Sequence, residues 1–437
     1  MPRKNALTLS LLFVVIVPIL LLGTGLVGAD EDHGGAVKLL TTVPIPTSLF
    51  PLRAFDISWL DPDSQLYYLG DRSNASVDVV DAKTNTFVRN ITGGFKGVVF
   101  KDDNTANNDK SGPNGVVVSG HFLFVTDAPS RVVTIDLRTD QIVGHFDTGG
   151  APGLRADELA YDPQDGILLV VNNADDPPFA TLITVKKGTG ELTLGTRITF
   201  DTANGVDATN GAEQPVWDPR TRKFYLSIPE VNCPNAHTNT PDPRCGGKFA
   251  DGAVVRIDPH STGGVDTAFP VSLCQPAGLT LGPHQDLLLG CSVVFDTAGN
   301  AWNSKKTNSI AAPTQIIMDA KTGTIDASVA GVGGSDEVWF NPGDRRYYTA
   351  SRNNPTGPVL GVIDAENQTL VQIVPTVNTA GNPDTDPTKR FPAGTAHSVA
   401  VDPRNNHALV PLPANNIFSN CSNGCIGVFG TSKGDHD

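Results

Sequence analysis

The sequence predicts an all-β fold: a seven-bladed β-propeller of four-stranded antiparallel blades, closed by its N-terminal strand. Three observations carry this. A hairpin pattern of apolar run, tight turn and second apolar run recurs seven times along the 437 residues. Most copies are followed by a second pair of alternating strands, joined by a turn that opens on Asp. No repeat shows the 3.6-residue apolar period of an amphipathic helix. Four short strands per repeat, at a spacing of roughly 40 to 65 residues, is the pattern of a propeller blade.

The clearest hairpin is 213–227, EQPVWDPRTRKFYLS, in which Asp218-Pro219 makes the turn. Equivalent hairpins read at 56–70, 157–171, 336–350 and 397–410, with weaker copies at 114–125 and 277–290. The second strand pair reads at 77–87, 132–143, 254–264, 315–325 and 360–371. The seventh repeat stops at 426–430 with no fourth strand of its own. Residues 37–46, VKLLTTVPIP, resemble the outer strands elsewhere and are expected to supply it. Such closure ties the termini together and removes an open sheet edge.

The propeller is therefore expected to span 37–430, after a linker at 30–36 and before a flexible tail at 431–437. Residues 1–29 carry Arg3 and Lys4, then a long apolar run, then the small-residue site Val27-Gly28-Ala29. They read as a signal peptide, or as an uncleaved anchor, the one case in which a membrane is a partner. Either reading exports the propeller to a periplasmic, extracellular or cell-surface location. Six cysteines agree with export. Their simplest pairing is local: Cys233–Cys245, Cys274–Cys291 and Cys421–Cys425. Free buried thiols are the alternative, and the spacings do not form paired C-x-x-C zinc ligands. A formal net charge of −14 argues against nucleic acid as a partner.

Loop lengths point to one face. The turns inside each strand pair are short and share one side of the disc. The long insertions, at 93–113, 201–212, 230–251, 292–313 and 376–396, all fall on the other. Long loops gathered on one face of a rigid scaffold are where binding and catalysis concentrate. A small-molecule or carbohydrate ligand is expected there, on a monomeric protein. The Asp- and Asn-rich 101–113 reads as a solvated loop or, less simply, a calcium loop.

Aligning the repeats on their first strands puts one residue of each at the channel mouth on that face. These are Asp56, Asn114, Asp157, Glu213, Ala277, Asp336 and His397. Six of the seven can ligate a metal or move a proton. Glu158 and Glu337, one position on, replace their neighbours if the register shifts. Converging carboxylates repel unless a cation neutralises them, and Asp, Glu and Asn oxygens suit Ca²⁺ or Mg²⁺. Asp56, Asn114, Asp157, Glu213 and Asp336 are thus the expected metal ligands, with His397 beside them as general base. The plainer reading is a water-filled polar channel.

The succession VIDAENQTLVQIVPTV through HSVAVDPRNNHALV resembles the YVTN-type propeller repeat, a likeness that covers nearly all of the exported chain and implies the fold. The segment EQPVWD at 213–218 is similar to one in the gluconolactonase/senescence-marker family. That resemblance implies a catalytic divalent metal in the channel, with Glu213 as first ligand and Asn114 or Asp336 as further ones. In that family the segment lies in the first blade of a six-bladed ring, whereas here it opens the fourth of seven. A His and a Glu at a propeller mouth also resemble the streptogramin lyases, which open a lactone by elimination. The expectation is metal-dependent hydrolysis or opening of a small ester or lactone, with Glu213 and His397 catalytic. The alternative is a non-catalytic propeller that binds a ligand, polymer or surface protein.

Overall fold

The computed structural model describes residues 35–431, apart from 48, 262–263, 303–311 and 387. The expected signal peptide or anchor, most of the linker and nearly all of the tail lie outside the described residues. Among the described residues no helix is long and apolar enough to cross a membrane.

The chain forms seven four-stranded antiparallel sheets. Blade one runs Ser58–Asp61, Leu66–Asp71, Ser76–Asp81 and Thr86–Thr92, and blades two to six repeat that order along the chain. Blade seven takes Ala400–Asp402, His407–Leu412 and Cys425–Gly430 from the C-terminal end and Lys38–Pro44 from the other. Lys38 pairs with Gly430 and Pro44 with Cys425, so the ring closes as the sequence suggests. One element was not legible in the sequence: a two-stranded ribbon, Asn378–Thr379 with Gly394–Thr395, inside the 376–396 insertion.

The recurrent Asp explains why the hairpins form. Asp61 accepts from the backbone N–H of Asp63 and Ser64, and Asp162 from those of Gln164 and Asp165. Asp81, Asp319 and Asp364 do the same between the third and fourth strands. An Asp side chain that bonds its own backbone two and three residues on holds the chain in a turn. The turns then leave through a left-handed residue, Gln65 at φ 56° and Arg222 at φ 56° among them.

Strand alternation sends each blade's apolar residues into two different layers. In blade three, Leu168, Val170 and Ile183 pack toward Phe124 and Val132 of blade two. Leu169, Val171 and Leu182 pack toward Phe224, Leu226 and Val255 of blade four. Each such side chain contributes about 1.5–3 kcal/mol when fully buried. The outermost strands are more exposed, as in Gln141–Asp147. In six blades a bulge interrupts the ladder to that strand, as between Thr134 and Ile135. Bulges blunt edges that other chains would otherwise extend. All three expected disulfides are present, and among the described residues no cysteine is free.

Blade one also buries two acids together. Asp71 and Asp78 are both fully inaccessible. Burial pushes the Asp71 carboxyl up to about 7, and burial together with the Asp71 charge pushes Asp78 well above the carboxylate range. Among the described residues Asp78 Oδ2 has no hydrogen-bond partner. Between pH of about 4 and 7 the folded state keeps protons that the unfolded state has released, so this pair costs stability as pH rises. Asp78→Asn should therefore raise stability at pH 8 by about 1–3 kcal/mol and change little at pH 5. Urea unfolding at the two pH values checks this, and equal effects at both would refute it.

Candidate active site at the channel mouth

Four of the mouth carboxylates are placed by the residue pair that opens their blades. The Asp56 backbone N–H donates to Gly70 O, Asp157 N–H to Val171 O, Glu213 N–H to Ser227 O and Asp336 N–H to Ala350 O. The same hairpin geometry thus aims equivalent side chains at one opening. They line a cavity of about 620 Å³ that includes Asp56, Asp157, Glu158, Glu213, Asp336, Glu337 and His397. Asn114 lies behind Arg72, fully buried, and Ala277 contributes no polar group.

Two long loops form the roof. Arg390 of the 376–396 insertion donates to Asn104 Oδ1 at 2.6 Å and lies 4.1 Å over the Phe100 ring. Arg53 stacks 4.1 Å over Phe391 and donates to Thr379 Oγ1 at 3.0 Å. Cation–π and hydrogen bonds of this kind hold the loops as walls of the site.

The site contains arginines that sequence reasoning missed. Arg72 donates to Asp56 Oδ2, and through Nε and Nη2 to Asn114 Oδ1 at 2.8 and 2.6 Å. Arg155 bridges Asp56 at 3.2 Å and Asp157 at 2.7 Å. Arg352 pairs with Asp336 at 2.9 Å. Arg72 and Arg352 stand at the same repeat position, the first residue after the second strand. The segments GDRSN at 70–74 and ASRNN at 350–354 carry that signal. Arg155 comes from the loop that leads into blade three, two residues before Asp157, where the loop into blade one carries Arg53 ahead of Asp56.

These partners bear on the expected metal set. Asn114 and Asp157 direct oxygens at guanidinium groups, and Asp56 directs one at two of them. A guanidinium already neutralises part of the charge that a cation would otherwise balance. Asp336 likewise turns one oxygen to Arg352, and Glu213 alone of the four carboxylates has no ion pair among the described residues. Among the described residues, the one set of three His, Cys, Asp or Glu ligand atoms within 4.8 Å of one another is Glu230, Cys233 and Cys245. Those cysteines are disulfide-bonded. The Glu230 carboxylate is occupied by the backbone N–H groups of Gly246, Gly247, Lys248 and Phe249. That carboxylate organises the 230–251 loop.

A division of charge follows. Each aspartate at the mouth has an arginine; none of the three glutamates has an ion pair among the described residues. Burial, then the neighbouring Asp336 charge, push the Glu213 carboxyl up to about 7. Burial raises Asp56 in turn, but Arg72, His397 and Arg155 outweigh it and hold that carboxyl well below its usual range. His397 stacks on Phe55 with ring centroids 5.0 Å apart. Its Nδ1 donates to Thr395 O at 2.7 Å, which leaves Nε2 facing Asp56 at 3.5 Å.

No family model and no curated protein matches the sequence. Among solved structures the chain is similar to Kuenenia stuttgartiensis hydrazine synthase, at 14% identity and a TM-score of 0.58. The match covers 88% of this chain and 96% of that one. At that identity the likeness supports the propeller fold and nothing finer.

Proposed function

We propose that the exported propeller binds a small, oxygen-rich molecule at the channel mouth and opens or hydrolyses an ester or lactone in it by proton transfer. The observation that carries this is Glu213: a carboxyl without a hydrogen-bond or ion-pair partner among the described residues, raised to about 7, in one cavity with His397. A base poised near neutrality takes a proton from water or substrate efficiently. His397 Nε2, with Nδ1 fixed by Thr395, is the second proton-handling atom. Arg352, one-third exposed, offers N–H donors to the developing oxyanion. The three disulfides are consistent with export.

A divalent cation, Ca²⁺ or Mg²⁺, is a second part of this reading, favoured by the glutamates that lack a counter-charge. When bound it would polarise the carbonyl under attack. Activity against a panel of small esters and lactones tests the proposal. Glu213→Gln should cut kcat by about 10²–10⁴-fold while the melting temperature stays level or rises. Wild-type kcat should climb with pH through about 7, since the base form exists above that value, and the variant should lose this limb. Turnover that survives in Glu213→Gln and His397→Ala refutes the assignment. Binding without turnover would identify a ligand-binding propeller instead.

A further inference from the structure

Glu158 and Glu337 lie one residue beyond the mouth aspartates, in blades three and six. In a ring of seven these blades face each other, so the two side chains approach across the channel. Both line the same cavity, and the Glu337 charge acts directly on Glu158. Both are buried, with only 5% and 2% of their surface exposed. No donor from the described residues reaches either carboxyl, and Glu337 Oε2 is an orphaned acceptor. Nearby Asp157, Glu213 and Asp56 add to the repulsion on Glu158, and Asp336, Asp56 and Glu213 to that on Glu337.

Two facing carboxylates without a donor are costly unless a proton or a cation lies between them. The arginines do not serve, because Arg72, Arg155 and Arg352 are each engaged by an aspartate. A cation has an entry route, since both glutamates line the solvent-connected cavity. We propose that Glu158 and Glu337 hold a hydrated hard divalent cation, Mg²⁺ or Ca²⁺, across the channel at the base of the mouth cavity. Two carboxylates with the remaining positions taken by water is an ordinary binding mode for Mg²⁺. This shifts the expected metal from the five-residue mouth set to a pair of residues deeper in the channel. It rests on the same cavity as the proposed function and does not require turnover.

The test is calorimetric titration of chelator-treated, purified protein with MgCl₂ and with CaCl₂, beside melting curves. The expected result is one saturable site per chain and a melting temperature that rises with cation. Glu337→Gln and Glu158→Gln should each weaken binding at least 100-fold, whereas Glu213→Gln should weaken it only a few-fold through lost charge. Each Gln variant removes a repulsive charge and is expected to fold; circular dichroism confirms this. The proposal is overturned if wild type shows neither binding heat nor a shift at millimolar cation, or if both Glu337→Gln and Glu158→Gln bind as wild type does. A cation-independent rise in the stability of Glu337→Gln at alkaline pH, without wild-type binding, would mean that the pair shares a proton instead. Cation binding that survives in an inactive Glu213→Gln separates this site from the catalytic proposal.

Discussion

A chain truncated to begin at Thr47 should fail to form a cooperative propeller. Among the described residues the lost strand, Lys38–Pro44, is the one sequence-distant element in any blade, and it supplies the whole outer strand of blade seven. Val37, Val43 and Ile45 are each no more than 2% exposed, and Val43 and Ile45 pack with Leu60, Tyr67, Ile426 and Val428 between blades seven and one. Removing three buried aliphatic side chains, at about 1.5–3 kcal/mol each, costs about 4.5–9 kcal/mol, comparable to the total stability of many domains. The cut also exposes Cys425–Gly430 as an unpaired edge, which invites association. The expected outcome is a broad thermal transition and aggregation in size-exclusion chromatography. Val43→Asp should act in the same direction through burial of an unpaired charge. A truncated protein that stays monomeric and melts sharply within a few degrees of wild type would show that closure is dispensable.

The sequence made the fold legible for a specific reason. Asp61, Asp162, Asp218 and Asp402 are local turn-formers, so their effect is written in adjacent residues and repeats with the blades. The disulfides were legible because their partners are near in sequence, at separations of 12, 17 and 4 residues. The site was legible only in part. Aligning first strands identifies which residues reach the mouth, and Asp56, Asp157, Glu213, Asp336 and His397 do reach it. It does not say which opposite charges the loops deliver. Arg155 approaches Asp56 over 99 residues of chain, and no repeat pattern encodes that distance. The role of Glu230 was illegible for another reason: its partners are four backbone N–H groups, which every sequence possesses.

Replacing Arg155 by Met should cost about 3–5 kcal/mol at pH 7, the range for removing one partner of a buried ion pair. Arg155 is 9% exposed and is the side chain that joins blade three to blade one across the mouth. Burial by itself lowers its pKa, but Asp157 and Asp56 outweigh that and keep it charged. Asp56 retains Arg72 after the change; Asp157 retains nothing within ion-pairing distance among the described residues. Burial already raises Asp157 well above its usual range, against the pull of Arg155. Without that pull the carboxyl binds a proton still more tightly when folded. The sign follows from linkage: both folded proteins hold a proton that the unfolded chain releases above pH of about 4, but the variant holds it to higher pH than wild type, so the difference between them grows as pH rises. Guanidinium unfolding should therefore show the variant far weaker than wild type at pH 8 and nearer to it at pH 5. Adding Asp157→Asn should recover much of the loss, because the orphaned charge is then gone. Arg155→Lys should fall between, since one ammonium lacks the fork that reaches both aspartates. A loss below about 1 kcal/mol, typical of an exposed pair, or no rescue by Asp157→Asn, would mean that the mouth is held by its backbone and not by this arginine.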